Sequence, residues 1–152
     1  MLYLAYPRRA FSEAVTLGTG CFRVSRSQFE RWVQEALEDL PGEIRQRLAG
    51  VAVVVKARPG REVRDVRGGR RLLGLYVGTP LTERSVFMPW SYPDTIYIYQ
   101  RNIEAICRTP AEVRRQVRLT VLHEVGHYLG LSEAELQALE EALEFEAPEF
   151  PG

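Results

Sequence analysis

The sequence predicts a single α+β domain spanning residues 1–152, and three observations lead to this prediction. Three short apolar runs are rich in the β-branched and aromatic residues that favour strands. These runs alternate with segments whose apolar residues recur at helical spacing. The length is that of one domain, and an apolar content of 45% is sufficient for a hydrophobic core.

Two helices are predicted in the first third of the chain. Ser27 and Glu30 have the spacing of a capping box, in which a hydroxyl and a glutamate satisfy backbone N–H groups at the start of a helix. Pro41 and Gly42 end this helix, and a shorter one is predicted over residues 43–49. The apolar residues at helical spacing in the first helix are Phe29, Trp32, Val33, Ala36, Leu37 and Leu40.

Three strands follow, separated by two long connections. The first strand, residues 51–57, is a continuous β-branched run of the kind that is buried on both faces of a sheet. The others are predicted over residues 72–77 and 95–100. Residues 59–71 are charged and rich in glycine, which favours a solvated loop over a basic patch. The connection over residues 78–94 is long enough to be functional in a compact domain.

The strongest functional signal is a pair of histidines. His123 and His127 are the only two in the chain, and they stand four positions apart in an HExxH pattern. On a helix, residues i and i+4 share a face, so both imidazoles can bind one metal ion at about 2.0–2.1 Å. Glu124 can act as general base on a water molecule beside that ion. The pattern indicates a zinc hydrolase, and the alternative is a helix with incidental histidines.

The helix that carries these histidines has clear ends. Thr109, Pro110 and Glu112 occupy the cap, first and third positions that these residue types favour. Gly130 supplies the left-handed conformation that ends many helices. An apolar stripe is expected to pack on the sheet while the histidines face a cleft. The stripe consists of Val113, Val117, Val121, Val125 and Leu129.

A third metal ligand is expected after the helix. Glu133 stands where the extended HExxHxxGxxH pattern has its third histidine, and a carboxylate oxygen also binds zinc. Ser132 opens another capping box, so the alternative role of Glu133 is that of a favourable residue at a helix N-terminus. The competing candidates for the third ligand lie further on, at Glu140, Glu141 and Glu144.

The run from His123 to His127, followed by Gly130 and Glu133, resembles the small bacterial zincin-like metallopeptidases, or minimal zincins. Their pattern is HExxHxxG followed by Asp or Glu, and the preceding helix and strands are similar in order. The resemblance is clearest over residues 25–143, which leaves residues 1–24 and 145–152 peripheral. It implies a small mixed sheet of three to four strands, packed against the HExxH helix and two to three further helices. It also implies metal-dependent peptidase activity with zinc as the cofactor.

The resemblance further implies that an edge strand beside the metal pairs with extended substrate. Residues 95–100 are the candidate strand, and Tyr97 and Tyr99 are its candidate substrate-binding residues, on the face opposite Ile96 and Ile98. The alternative is that both tyrosines pack on the sheet. With no third histidine in the chain, the group that holds the oxyanion is expected to be Tyr97, Tyr99, Tyr128 or an arginine.

Composition restricts the partners and the compartment. The formal net charge is zero, which argues against nucleic-acid binding. The two cysteines, Cys21 and Cys107, are expected to be free thiols in a reducing compartment. The amino terminus lacks the pattern of a signal peptide, and no apolar stretch has the length of a membrane span. We therefore expect a cytoplasmic protein that does not bind membranes.

The sequence leaves three hypotheses for function. The favoured one is a zinc-dependent metallopeptidase that acts on a peptide or a flexible protein segment, with Glu124 as general base and His123, His127 and Glu133 as ligands. The second is a zinc-dependent amidase with a non-peptide substrate. The third is a non-catalytic zincin-like binding module. The oligomeric state is not predicted.

Overall fold

The computed structural model describes residues 2–5, 23–85 and 93–146. Its four strands form one mixed sheet of order β1-β3-β4-β2, in which β4 pairs antiparallel with β3 and parallel with β2. This confirms the predicted α+β class and its small mixed sheet. The extent of the domain over residues 1–152 stays a prediction. The elements are β1 (Leu2–Ala5), α1 (Arg26–Glu38), α2 (Gly42–Arg47), β2 (Ala52–Lys56), β3 (Gly74–Gly78), β4 (Thr95–Tyr99), α3 (Gln100–Ala105), α4 (Pro110–Leu129) and α5 (Glu133–Glu146).

The two faces of the sheet are covered by different kinds of structure. Ile96 and Ile98 point toward α1 and α4 in the main core, whereas Tyr97 and Tyr99 lie on the opposite face, as the alternation predicts. The predicted stripe of α4 is buried in the main core from Val113 to Val125, and Leu129 packs at its margin. The opposite face is covered by the irregular segment between β2 and β3. Its buried cluster consists of Val63, Leu72, Leu75 and Tyr99.

The start of α1 differs from the prediction. The cap is Ser25, whose Oγ accepts a hydrogen bond from the Gln28 backbone N–H at 3.1 Å, so Ser27 lies inside the helix. Glu30 does not complete a capping box, because its carboxylate instead accepts from Arg26 at 2.8 Å. Ser25 and Ser27 are two positions apart, and the spacing in the sequence did not show which of them caps the helix.

Strand β2 is not buried on both faces, and that prediction was wrong. In the described part of the chain β2 pairs only with β4, which makes it an edge strand. Val54 is 36% exposed, whereas its neighbour Val55 is buried. A β-branched run favours extended backbone in edge and central strands alike, so its composition did not reveal its position in the sheet.

Helix α3 was not predicted, because it has only six residues and no side-chain cap. It follows β4 directly and anchors other parts of the chain through two amides. The Asn102 amide donates to the carbonyl oxygens of Arg70 and Leu72 at 3.0 and 2.7 Å. The Gln100 amide donates to Val24 at 3.1 Å. The short helix therefore fixes the end of the segment that covers the second face of the sheet.

Helix α4 begins and ends where the sequence predicts. The Thr109 hydroxyl accepts from the Glu112 backbone N–H at 3.2 Å, and Gly130 ends the helix with a φ of 83°. Ser132 and Glu135 then form the predicted capping box of α5, with hydrogen bonds of 2.7 and 3.3 Å. None of the described helices is long and apolar enough to cross a membrane.

Candidate metal centre

Three side chains of α4 form the core of the site. His123, Glu124 and His127 lie in the last two turns of the helix, and at most 2% of the surface of any of them is exposed. The two imidazole rings are 4.6 Å apart between centroids and meet at 79°. The i, i+4 spacing therefore brings both rings together in the protein interior, as the sequence predicts.

Glu133 joins the two histidines because the chain turns sharply at Gly130. The potential ligand atoms of His123, His127 and Glu133 all lie within 4.8 Å of one another. A tetrahedral zinc ion that binds its ligands at about 2.0–2.2 Å separates them by about 3.4 Å, and His127 Nε2 lies 3.7 Å from Glu133 Oε1. The Glu133 side chain is 58% exposed, so small movements can complete such a site.

Helix α5 is held against α4 at a glycine. A Cβ atom on Gly126 would collide with the buried side chain of Leu136, so the absence of a side chain lets α5 approach. The neighbour of Gly126 at this point is therefore a side chain and not another backbone. Glu133, Leu136 and Glu140 are three and four residues apart, so they share one face of α5. Packing at Leu136 therefore directs both glutamates toward the histidines.

Glu140 has a role that differs from that of a third ligand. Its Oε1 lies 2.6 Å from His123 Nδ1, which makes a hydrogen bond from the ring to the carboxylate when Nδ1 carries the proton. That tautomer leaves Nε2 as the metal-binding atom. Of the other candidates, Glu141 is exposed and accepts from Gln137 at 2.9 Å. The side chain of Glu144 lies outside the described residues.

Glu124 is fully buried, and neither carboxylate oxygen has a hydrogen-bond partner among the residues that the structure describes. Burial raises the pKa of Glu124 well above its ordinary value. The backbone N–H of Tyr76 opposes this rise, although its geometry toward the carboxylate is not that of a hydrogen bond, and the charges of Glu133 and Glu140 add to it. An unsatisfied buried carboxyl group is unfavourable for folding, which marks Glu124 as a functional candidate.

A glycine of the sheet makes room for this carboxylate. A Cβ atom on Gly74 would lie 3.0 Å from Glu124 Cγ and 2.8 Å from Thr120 Cγ2, closer than normal packing permits. Gly74 therefore lets α4 pack directly on β3. The sequence marked this residue only as part of a strand, because nothing in the local pattern reveals which helix will lie over it.

The donor atoms fit a divalent metal ion. Burial, followed by the proximity of His123, lowers the pKa of His127 to about 4, so its ring is neutral at physiological pH. Nε2 of His127 is buried and has no hydrogen-bond partner within the described ranges. Neutral imidazole nitrogens and a carboxylate oxygen in this arrangement are the ligand set of catalytic zinc sites.

Strand β4, the predicted substrate-binding strand, lies inside the sheet and not at its edge. Strand β4 is hydrogen-bonded to β3 on one side and to β2 on the other, so its assignment as an edge strand was wrong. The rings of Tyr97 and Tyr99 are stacked with their centroids 6.3 Å apart, and they lie on the sheet face that points away from α4. Period-two alternation shows which residues share a face, but it does not show which strands are neighbours.

Two of the tyrosines considered for oxyanion stabilisation are engaged elsewhere. The Tyr99 hydroxyl donates to Glu62 at 2.9 Å, and the Tyr128 hydroxyl donates to the Arg47 carbonyl at 2.8 Å. Arg84 forms an ion pair with Asp94 and lies over the Tyr128 ring. These contacts assign the groups to packing, and they leave the oxyanion-stabilising residue unassigned.

Comparison with known families agrees with this geometry. The model of the zincin-like metallopeptidase family matches residues 48–143, well over half of the chain. The matched part runs from the turn before β2 into α5, and it contains all the residues of the site. A search of curated protein sequences finds no match. The resemblance seen in the sequence is thus confirmed, and the chain belongs to the zincin-like metallopeptidase family.

Proposed function

We propose that the protein is a zinc-dependent metallopeptidase that hydrolyses a peptide or a flexible protein segment, with Glu124 as general base. The observation that carries this proposal is the burial of Glu124, without a hydrogen-bond partner in the described structure, beside a set of metal-binding atoms. A purely structural zinc site is closed by its ligands and has no need of such a group.

His123, His127 and Glu133 would hold the ion. Bound zinc lowers the pKa of water and polarises a carbonyl group, which is the chemistry that peptide hydrolysis requires. Glu124 then accepts the proton of the attacking water and delivers it to the amine that leaves. The raised pKa of Glu124 suits the first of these steps, because a carboxylate of higher pKa is a stronger base toward water.

Glu140 would act as a positioning residue. Its carboxylate accepts the Nδ1 proton of His123 at 2.6 Å, so it fixes both the tautomer and the orientation of the ring. A negative charge at this place also makes the imidazole a stronger ligand. The two carboxylates of the α5 face thus have different roles: Glu133 binds the ion and Glu140 orients a ligand.

Replacement of the general base tests the proposal. We expect Glu124→Gln to lower peptide hydrolysis at least about a thousandfold while zinc content and melting temperature stay close to those of wild type. Glu141→Gln, an exposed residue of α5, is the matched control and should keep full activity. Cleavage is measured by mass spectrometry on a mixture of peptides with added zinc.

The same assay separates the alternatives. Hydrolysis of simple amides without cleavage of any peptide would favour the zinc-dependent amidase. Zinc binding without hydrolysis by the wild-type protein would favour the non-catalytic binding module. Equal activity of wild type and Glu124→Gln would contradict the assigned mechanism.

A further inference from the structure

The second face of the sheet carries a basic cavity that the metal centre does not use. Residues 57–71 contain six arginines, and five of them line one surface cavity of about 860 Å³. We call this cavity the arginine pocket. Its guanidinium groups belong to Arg58, Arg61, Arg64, Arg70 and Arg71.

The segment that forms the arginine pocket is fixed to the sheet. Val63 and Leu72 are buried against Leu75 and Tyr99. A Cβ atom on Gly69 would lie only 2.5 Å from the Val63 side chain, so the chain is closely packed at this turn. The Asn102 amide and the hydrogen bonds of Glu62 add polar anchors. An ordered segment of this length in a small domain is commonly functional.

The arginines of the pocket form no ion pairs with the residues that the structure describes. Within residues 23–85 and 93–146, no carboxylate forms an ion pair with any of the five guanidinium groups. The segment has two acids of its own, Glu62 and Asp65. Glu62 is already bound to Lys56 and Tyr99, at 2.8 and 2.9 Å. Five exposed cations around one concavity therefore lack a partner in the described structure.

The chemistry of the lining points to an anionic polypeptide. Guanidinium groups bind carboxylates in bidentate geometry. Among the residues that the structure describes, no aromatic side chain lines the pocket, so these residues offer no surface on which nucleic-acid bases stack. Val63, Val66 and Pro59 lie among the arginines and can contact apolar side chains.

We propose that the arginine pocket binds an acidic segment of the polypeptide substrate, an inference that rests on the proposed peptidase function. The position of the pocket sets the length that such a segment needs. Arg71 precedes Gly74 by three residues, which span at most about 10 Å of chain, and Gly74 packs against Glu124. The pocket and Glu124 lie on opposite faces of the sheet, so the substrate that this proposal requires is an extended segment long enough to reach from one face to the other.

Binding of a labelled peptide tests this proposal. The probe is a fluorescein-labelled, glutamate-rich peptide, and its anisotropy is measured with the full chain carrying Glu124→Gln, so that no cleavage occurs. We expect saturable binding that weakens at least about tenfold in Arg61→Gln/Arg64→Gln/Arg70→Gln and declines as salt is raised. The matched control, Arg31→Gln/Arg45→Gln/Arg118→Gln, removes three exposed charges outside the pocket and should bind like its parent.

Each other outcome overturns the proposal. Equal weakening by both triple variants would show that the peptide responds to overall charge and not to the pocket. Tighter binding of a single-stranded oligonucleotide than of the peptide would assign the surface to nucleic acid. Because the binding measurement involves no hydrolysis, a lack of peptide binding does not affect the Glu124→Gln activity test. A negative result in that activity test likewise does not affect the binding measurement.

Discussion

Two carboxylates on opposite faces of the same sheet differ in their hydrogen bonds and in the direction of their pKa shifts. Glu62, on the face covered by the arginine-bearing segment, accepts hydrogen bonds from Lys56, Tyr99 and the Gly60 backbone N–H at 2.8–2.9 Å. Glu124, on the face covered by α4, is more deeply buried and has no such partner among the described residues. Burial alone would raise both pKa values. The partners of Glu62 nevertheless lower its pKa, whereas that of Glu124 stays high.

Under the proposed function, this difference separates a structural carboxylate from a catalytic one. A buried carboxylate with hydrogen-bond donors stabilises the fold, and one without them destabilises it. Glu62 joins the irregular segment to β4 through Tyr99. Glu124 makes no comparable hydrogen bond among the described residues, which agrees with its proposed role as general base.

The largest expected effect comes from cavities made on the two faces. Leu136→Ala and Leu75→Ala each remove a fully buried leucine, and each should lower the free energy of unfolding by about 2–4 kcal/mol. Only Leu136→Ala should also weaken zinc binding, because Leu136 lies between Glu133 and Glu140 on α5. Urea denaturation and chelator competition measure the two quantities. Equal zinc affinities in the two variants would show that the packing of α5 does not position the site.

The second effect concerns the ring of His123. Glu140→Ala should weaken zinc binding by about 10–100-fold, because the imidazole loses the carboxylate that orients it. Glu141→Ala, which removes the neighbouring exposed carboxylate, is the control. In the metal-free protein, imidazole nitrogen-15 shifts should report the Nδ1–H tautomer of His123 in wild type and its loss in Glu140→Ala. Unchanged zinc affinity and tautomer in Glu140→Ala would make this contact merely structural.

A smaller effect is expected where α4 meets β3. Gly74→Ala places a methyl group within 3.1 Å of Thr120, Glu124 and the Tyr97 carbonyl, and it should destabilise the fold by about 1–2 kcal/mol. Because the methyl group displaces Glu124 and not the ligands, peptide hydrolysis should fall more than zinc affinity does. An equal decline of both quantities would indicate that the whole helix moves.

The smallest expected effect is the difference in free energy of unfolding between Glu62→Gln and Glu124→Gln. Glu62→Gln should lower the free energy of unfolding by about 1 kcal/mol at neutral pH, whereas Glu124→Gln should change it little in the metal-free protein. Because folding lowers the pKa of Glu62, this residue stabilises the fold at pH values above its ordinary pKa of about 4.5. That contribution is lost as the pH falls through the pKa of Glu62 in the folded protein. The difference in free energy of unfolding between wild type and Glu62→Gln should therefore become smaller at acid pH.

Unfolding curves at several pH values measure this pair of effects. A loss of stability in Glu124→Gln as large as that in Glu62→Gln would mean that Glu124 makes stabilising hydrogen bonds, and the comparison would fail.

Much of the fold was predictable from local signals. The caps at Thr109 and Ser132 and the glycine at Gly130 fixed the ends of α4 and the start of α5 because each satisfies backbone groups within a few residues. The alternation of Ile96 and Ile98 with tyrosines placed the correct residues on each face of β4. The HExxH spacing brought the histidines together for the same local reason.

The errors arose where distant parts of the chain meet. Pairing of β4 with two strands made it central, and composition carries no record of that neighbourhood. The contact of Leu136 with Gly126 and the hydrogen bond of Glu140 to His123 depend on how α5 docks. The seven-residue spacing of Glu133 and Glu140 places them on one helix face, and this signal was available for assigning them together. It did not reveal that Glu140 contacts a histidine ring while Glu133 is left as the proposed metal ligand.

The most direct test of the central claim is the zinc content of the purified protein, measured by mass spectrometry beside His127→Ala and Glu124→Gln. A functional metal centre on α4 predicts about one zinc ion per chain in wild type and in Glu124→Gln, and almost none in His127→Ala. Wild-type protein that binds no zinc when zinc is supplied, or a His127→Ala variant that retains it, would contradict the claim.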